Sequence, residues 1–283
     1  MTFADSSDVP TDIRSALRAN CADCFALCCT AFGFQRSADF PIDKPAGTPC
    51  SNLTDDFSCS IHDSLRPRGF RGCTVFDCFG AGQYVSQTLC GGTSWRERPE
   101  TSAAMFSTFA VVRQLHEMLW YLVEAAELTT MSNLSEPVNR LRNDIMCTLD
   151  GDASSIVALD VESLRAEVRR TLIEVSEEAR GGYAAVSAGR GDLHPSVDLV
   201  GRDLRSVRLC GADLRGAYLI AADLRHGDLS GVDLLGADLR DARLDGADLS
   251  RALFLTQLQV DAAQGDGATM LPPALRRPRH WVS

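Results

Sequence analysis

Residues 198–254 read DLVGRDLRSVRLCGADLRGAYLIAADLRHGDLSGVDLLGADLRDARLDGADLSRALF. Leucine occupies positions 199, 204, 209, 214, 219, 224, 229, 234, 239, 244 and 249, and Phe254 takes the next place. Twelve apolar residues thus follow a strict period of five. An α-helix would rotate each successive one by about 140° and scatter them around its cylinder. A straight strand would send them alternately to opposite faces, because five is odd and the strand period is two. A chain that turns a corner every five residues points all of them at one axis. Small residues two places before the leucines, such as Ala212, Ala217, Ala222, Ala237, Ala242, Ala247 and Ala252, fill the corners between leucine layers.

This run resembles the pentapeptide-repeat family, with its A(D/N)LXX unit, over residues 197–256. The resemblance implies a short right-handed quadrilateral β-helix with four pentapeptides per coil. Twelve repeats then make about three coils, each advancing by roughly 4.8 Å. The period breaks at LTQLQVDAAQGD. Residues 257–283 are expected to form a C-terminal cap, a short helix ending at Gly265, and a tail that packs Trp281 back on the body. An open solenoid end would otherwise expose leucines and strand edges.

Residues 102–188 carry a different grammar. Met105, Phe109, Val112, Leu115, Leu119, Leu122 and Ala126 recur at three- and four-residue spacing, which places them on one helix face. Thr101 and Ser102 are the expected N-caps. Leu134, Val138, Leu141, Ile145 and Leu149 repeat the pattern, as do Val161, Leu164, Val168, Leu172 and Val175. About three helices are expected, with stops at Gly151-Asp152 and Gly181-Gly182.

Residues 12–95 hold nine of the eleven cysteines in a Gly-, Pro-, Asp- and Ser-rich stretch with little periodicity. Such a segment has a thin apolar core and needs another source of cohesion. Eight cysteines fall into an order: Cys21-x2-Cys24-x3-Cys28-Cys29, Gly47-x2-Cys50, Cys59-Ser-Ile-His62, Arg66-Pro67, Arg71-Gly72-Cys73 and Phe76-Asp77-Cys78. A Cys-x2-Cys turn brings two sulfurs to one side, where a tetrahedral ion can meet both. Adjacent Cys28 and Cys29 are expected to serve neighbouring ions or a bridging sulfur. Eight thiolates suit two S4 zinc sites, a sulfur-bridged cluster, an iron–sulfur cluster with spare thiols, or Cu(I). Spacing does not choose among these, and disulfides or inert buried thiols are the alternatives to metal.

The same pattern resembles the YkgJ-type cysteine-cluster family, described by zinc or iron chelation, over residues 21–80. Its CxxCxxCC, GxxC, CxIY, RP, CR and FxC elements are matched with three departures. One extra residue separates Cys24 from Cys28, His62 stands in the place of tyrosine, and Gly72 splits Arg71 from Cys73. The resemblance implies a metal site built from Cys21, Cys24, Cys28, Cys29, Cys50, Cys59, Cys73 and Cys78. His62 is a further candidate ligand, and its alternative role is a surface residue. His116 is read as a packing histidine unless its helix lies against the cluster. The FGAGQ turn at 79–83 is placed to let backbone approach sulfur. Cys90, Cys147 and Cys210 belong to no pattern.

The fold class expected is therefore mixed: a metal-stabilised cysteine-rich domain at 12–95, helices at 102–188, a β-helix at 197–256 and its cap. The opening MTFADSSDVPTDIRSALRAN lacks a basic start followed by an apolar stretch, so a cytoplasmic protein with reduced thiols is expected. No apolar run reaches the roughly 18 residues of a membrane span. The net charge is -10, and Lys44 is the only lysine beside 27 arginines, read as a base-composition bias. Residues 101–197 carry 14 acids against 8 bases. The repeat carries 10 aspartates against 8 arginines, which gives neither a basic stripe for nucleic acid nor a DNA-like acidic surface. No GxxxxGK[ST], GxSxG or HExxH motif occurs. The expected function is a protein that binds zinc or iron, with the repeat offering a surface to a protein or peptide partner. The alternative is a metalloenzyme with an open metal or cluster position.

Overall fold

The period of five becomes a coil of twenty residues in the computed structural model, which describes residues 11–129, 132–183 and 193–281. Single parallel bridges join residues twenty apart: Asp198 to Tyr218 to Asp238, Asp203 to Asp223 to Arg243, Asp213 to Asp233 to Leu253, and Asp228 to Asp248. Four pentapeptides thus make one turn. Among the described residues these bridges stay isolated and no longer strand forms, because a corner follows each one.

Local chemistry makes the corners. The N–H of the small residue donates to the leucine carbonyl three places earlier, as in Ala217 to Leu214 at 3.0 Å and Ala247 to Leu244 at 2.9 Å. The residue two places after many leucines has positive φ, the conformation a type II turn demands there. Gly211, Gly216, Gly231, Gly236 and Gly246 supply it without a Cβ, while Ala221, His226 and Asp241 adopt it at φ of 54°, 59° and 57°. The aspartate before the leucine accepts the N–H two residues on, as in Asp233 from Leu235 at 2.8 Å and Asp228 from Ser230 at 2.9 Å. The leucines from Leu199 to Leu249 and Phe254 are all buried.

Beyond Phe254 the coil continues irregularly, with Gln264 bridging Arg243 and Met270 bridging Asp248. Thr256 and Gln259 form a capping box that opens helix α9 (Gln257–Ala262), which ends earlier than Gly265. The buried Gln259 amide donates to the Leu234 and Ala237 carbonyls at 2.7 and 2.9 Å, closing the last coil. Trp281 does fold back: it stands over Gly265, and its indole donates to the Ala263 carbonyl at 3.0 Å.

The chain divides into two compact units, residues 1–71 with 78–171 and residues 72–77 with 172–283. In the first, the helices are α1 (Thr11–Ala16), α2 (Leu27–Ala31), α4 (Ala81–Gln83), α5 (Ser102–Leu128), α6 (Ser135–Leu149) and α7 (Ala153–Val157). α3 (Arg71–Thr74) and α8 (Val161–Gly181) run across the division. α4 continues as a π-helical stretch, Tyr84–Leu89. α5 packs on α6, α7 and α2. The expected apolar face of α5 is buried, with Ala125 rather than Ala126 completing it. Thr101 precedes α5, but its hydroxyl bonds back to the Arg98 carbonyl instead of capping. Residues 184–188 of the expected helical stretch lie outside the described residues. Among the described residues no helix is long and apolar enough to cross a membrane.

In the second unit, the C-terminal half of α8 lies along the Asp213–Asp233–Leu253 column. Ser176 Oγ donates to the buried Asp233 carboxylate, and Arg180 pairs with Asp213 at 3.1 Å. The Tyr183 ring rests on Gly231, where a Cβ would stand 2.3 Å from its Cε2. The opposite column, Asp203–Asp223–Arg243, is a ladder of ion pairs, Arg205 with Asp203 and Arg225 with Asp223, each at 2.6 Å.

Candidate metal centre

α2 carries Cys28 and Cys29 and is only five residues long, too short to persist unaided. Its last carbonyls are all taken by one loop. Cys29 O accepts from Cys50 N–H at 3.0 Å, Ala31 O from Gly47 N–H at 3.2 Å, and Thr30 O from the Lys44 ammonium at 3.2 Å. The loop is itself set by a two-way bridge between Phe34 and Lys44, at 2.9 and 2.8 Å. A small core of Ile61, Leu65 and Phe70, with Phe34, Phe40, Ile42 and Cys59 against it, backs this segment. At the other end of α2, Ala26 is left-handed at φ 53°, and the Thr30 hydroxyl holds its carbonyl at 3.2 Å.

The sulfurs gather around α2. Cys28 and Cys29 Sγ are 3.8 Å apart. Two sulfurs on one tetrahedral ion at about 2.3 Å also stand about 3.8 Å apart, so adjacency in the chain does not force these thiols to separate ions. Burial pushes the Cys24 thiol pKa up, and the nearby Leu27 and Ala26 backbone and Ser86 hydroxyl pull it part of the way back. Gly82 lies against the same sulfur: a Cβ there would be 2.6 Å from Cys24 Sγ and 3.8 Å from Cys78 Sγ. Burial raises the Cys59 pKa, the Ile61 backbone N–H offsets part of the rise, and Cys29 and Cys50 add to it when ionised. The Asn52 amide is 3.8 Å from Cys50 Sγ.

Charge is distributed unevenly over the cluster. The hydrogen bond from Cys28 lowers the Cys29 thiol to about 7, against burial and with help from Lys44. The same bond, with burial, raises Cys28 well above the ordinary thiol value, and the charges of Cys24 and Cys21 add to that.

Seven of the eight patterned cysteines, Cys21, Cys24, Cys28, Cys29, Cys50, Cys59 and Cys78, are thus linked by sulfur contacts, by charge or through Gly82. Cys73 stands on α3, in the segment assigned to the second unit. His62 is exposed; its Nδ1 faces Asp63 at 3.8 Å and its N–H donates to the Cys59 carbonyl. None of the eleven cysteines is in a disulfide. Among the described residues, no three His, Cys, Asp or Glu side chains converge as a ligand group.

Four supporting residues carry little signal in the sequence. Gly82 and Ser86 belong to the FGAGQ turn and the π-helical stretch after it; only the turn was legible as a close approach. Lys44 looks like compositional noise. His116 does lie beside the cluster's loop, on α5, yet its Nδ1 bonds the Phe79 carbonyl at 2.7 Å. Burial depresses its pKa to about 4. A carbonyl can only accept, so the neutral ring keeps its proton on Nδ1 and holds the residue next to Cys78.

Thiols are the donor type that a soft metal ion takes, and Gly82, without a Cβ, lets the chain approach the sulfurs of Cys24 and Cys78.

A family model for pentapeptide repeats matches residues 196–226 and 217–254, with eight copies. The uncharacterized protein YybG of Bacillus subtilis (strain 168) is 48% identical over 274 residues, covering 95% of this chain and 96% of that protein. The chain belongs to the same family as YybG.

Proposed function

We propose that this member of the YybG family is a cytoplasmic metal–thiolate protein whose pentapeptide repeat serves as a protein-interaction scaffold. Cys21, Cys24, Cys28, Cys29, Cys50, Cys59 and Cys78 would hold zinc or iron, as in the YkgJ-type pattern they resemble. The observation that carries this reading is the gathering of thiols from four separate stretches of chain around α2, backed by Gly82 and without a disulfide. A bound ion supplies the cross-links that the small Ile61–Leu65–Phe70 core does not. Because no three donors converge among the described residues, metal binding would be coupled to final ordering of the segment. Cys73 and His62 stay candidate ligands on sequence grounds.

The repeat is the scaffold half of the proposal, read as a right-handed quadrilateral β-helix. One of its columns, Asp198–Tyr218–Asp238, leaves Tyr218 about half exposed at 51%, and Val200, two residues after Asp198, is exposed at 49%. That is a surface suited to a protein or peptide.

Thiol alkylation mapped by mass spectrometry tests the metal half. Zinc should protect the seven gathered cysteines while the exposed Cys147 reacts unchanged. Equal alkylation rates with and without zinc or ferrous iron would overturn the assignment.

A further inference from the structure

Lys44 is the only lysine of a chain that uses arginine at every other strongly basic position. It is also buried, at 5% exposure. Its ammonium donates to three carbonyls, Thr48 at 2.7 Å and Thr30 and Pro45 at 3.2 Å each, and sits 5.7 Å from the centre of the Phe34 ring. Carbonyls satisfy its protons without neutralising its charge. Burial lowers its pKa, the neighbouring Cys50, Cys29 and Cys28 sulfurs oppose that when ionised, and among the described residues no carboxylate pairs with it. A buried cation without an anion is costly to keep. The cost is offset when neighbouring sulfurs are thiolates.

The compact, three-proton ammonium also matches its cage in a way a guanidinium does not. Three carbonyls converge on one nitrogen, whereas an arginine fork spreads its donors in a plane. That accounts for a lysine in an arginine-rich chain better than base composition does.

We infer that Lys44 is the built-in counter-cation of the thiolate cluster, a positioning residue that stabilises the metal-loaded state and fixes the loop bearing Cys50 to the helix bearing Cys28 and Cys29. The inference rests on the metal–thiolate reading above. Its sign follows from charge: a divalent ion with four thiolates is doubly negative, the metal-free thiols carry less negative charge than that, and a fixed positive charge favours the former. The same charge lowers the energy of the sulfur lone pairs.

The test uses Co(II) as the probe, with wild type, Lys44→Met and Lys44→Arg, under anaerobic conditions. Chelator competition should show Co(II) affinity falling by about ten- to a hundredfold in Lys44→Met, the size expected of one nearby charge in a partly buried site. The sulfur-to-cobalt charge-transfer band should move to lower energy, a change that loosened packing alone would not direct. Lys44→Arg should recover the band position in part but not the full affinity. If wild type binds Co(II) and Lys44→Met matches it in affinity and band energy, the role of Lys44 is refuted while the metal site stands. If wild type shows no sulfur-to-cobalt band, the metal–thiolate reading itself has failed. Should Lys44→Met not fold, Lys44→Arg carries the test: affinity and band equal to wild type would refute the fit between ammonium and cage.

Discussion

The Sγ of Cys24 occupies the space that a Cβ on residue 82 would need, 2.6 Å from its ideal position. Gly82→Ala should therefore push Cys24 away from Cys78 and destabilise the first unit by about 1–3 kcal/mol, the usual cost of overpacking. Urea unfolding checks the stability, and zinc content should fall in the same variant. Unchanged zinc content would separate Gly82 from the site.

Ser86 is fully buried, accepts the Phe25 N–H at 3.0 Å and stands near enough to Cys24 to lower its pKa. Ser86→Ala removes that bond and the hydroxyl beside Cys24 with little change in volume. A loss of about 1–2 kcal/mol is expected, together with faster alkylation of Cys24 in the zinc-loaded protein.

Asp233 and His116 should respond to acid in opposite senses. Burial raises Asp233 from 3.8 to about 6, so the folded chain binds the extra proton and stability grows as pH falls from about 6 to 4. Asp233→Asn should stabilise the protein at pH 7 by roughly 1–3 kcal/mol, and that advantage should vanish near pH 4. Burial lowers His116 from 6.5 to about 4, so the unfolded chain binds the proton first and stability is lost over that window. His116→Asn, which keeps a donor for the Phe79 carbonyl, should remove that loss. Urea midpoints against pH for each variant give the signs directly.

Tyr183 gives a paired comparison within the repeat. Gly231 and Gly236 both have φ of +65°, but only Gly231 has Tyr183 against it; nothing lies within 4 Å of a Cβ at Gly236. Gly236→Ala should cost about 1 kcal/mol for the left-handed backbone alone. Gly231→Ala should cost about 1–3 kcal/mol more through displacement of Tyr183. Equal losses in thermal or urea unfolding would mean that Tyr183 docks weakly.

The repeat was legible because a period of five has one spatial solution, and Leu199 to Phe254 announce it without any tertiary information. The helices followed for the same reason, since Met105, Phe109 and Val112 mark a face by themselves. The corner chemistry was less visible: Ala221, His226 and Asp241 adopt a glycine-like backbone that their identities do not advertise. At the cysteines, spacing announced the donors but not their company. Lys44 is fourteen residues from Thr30, Ser86 more than sixty from Cys24, and His116 thirty-seven from Phe79. Such partners are made by folding, so no local pattern encodes them.

The most direct measurement is elemental analysis of anaerobically purified protein, with an optical spectrum of the same sample. The account predicts stoichiometric zinc or iron that is reduced in a Cys29→Ser, Cys50→Ser double variant. Protein that is folded, fully reduced and free of bound metal, even after incubation with zinc and ferrous iron, would contradict it.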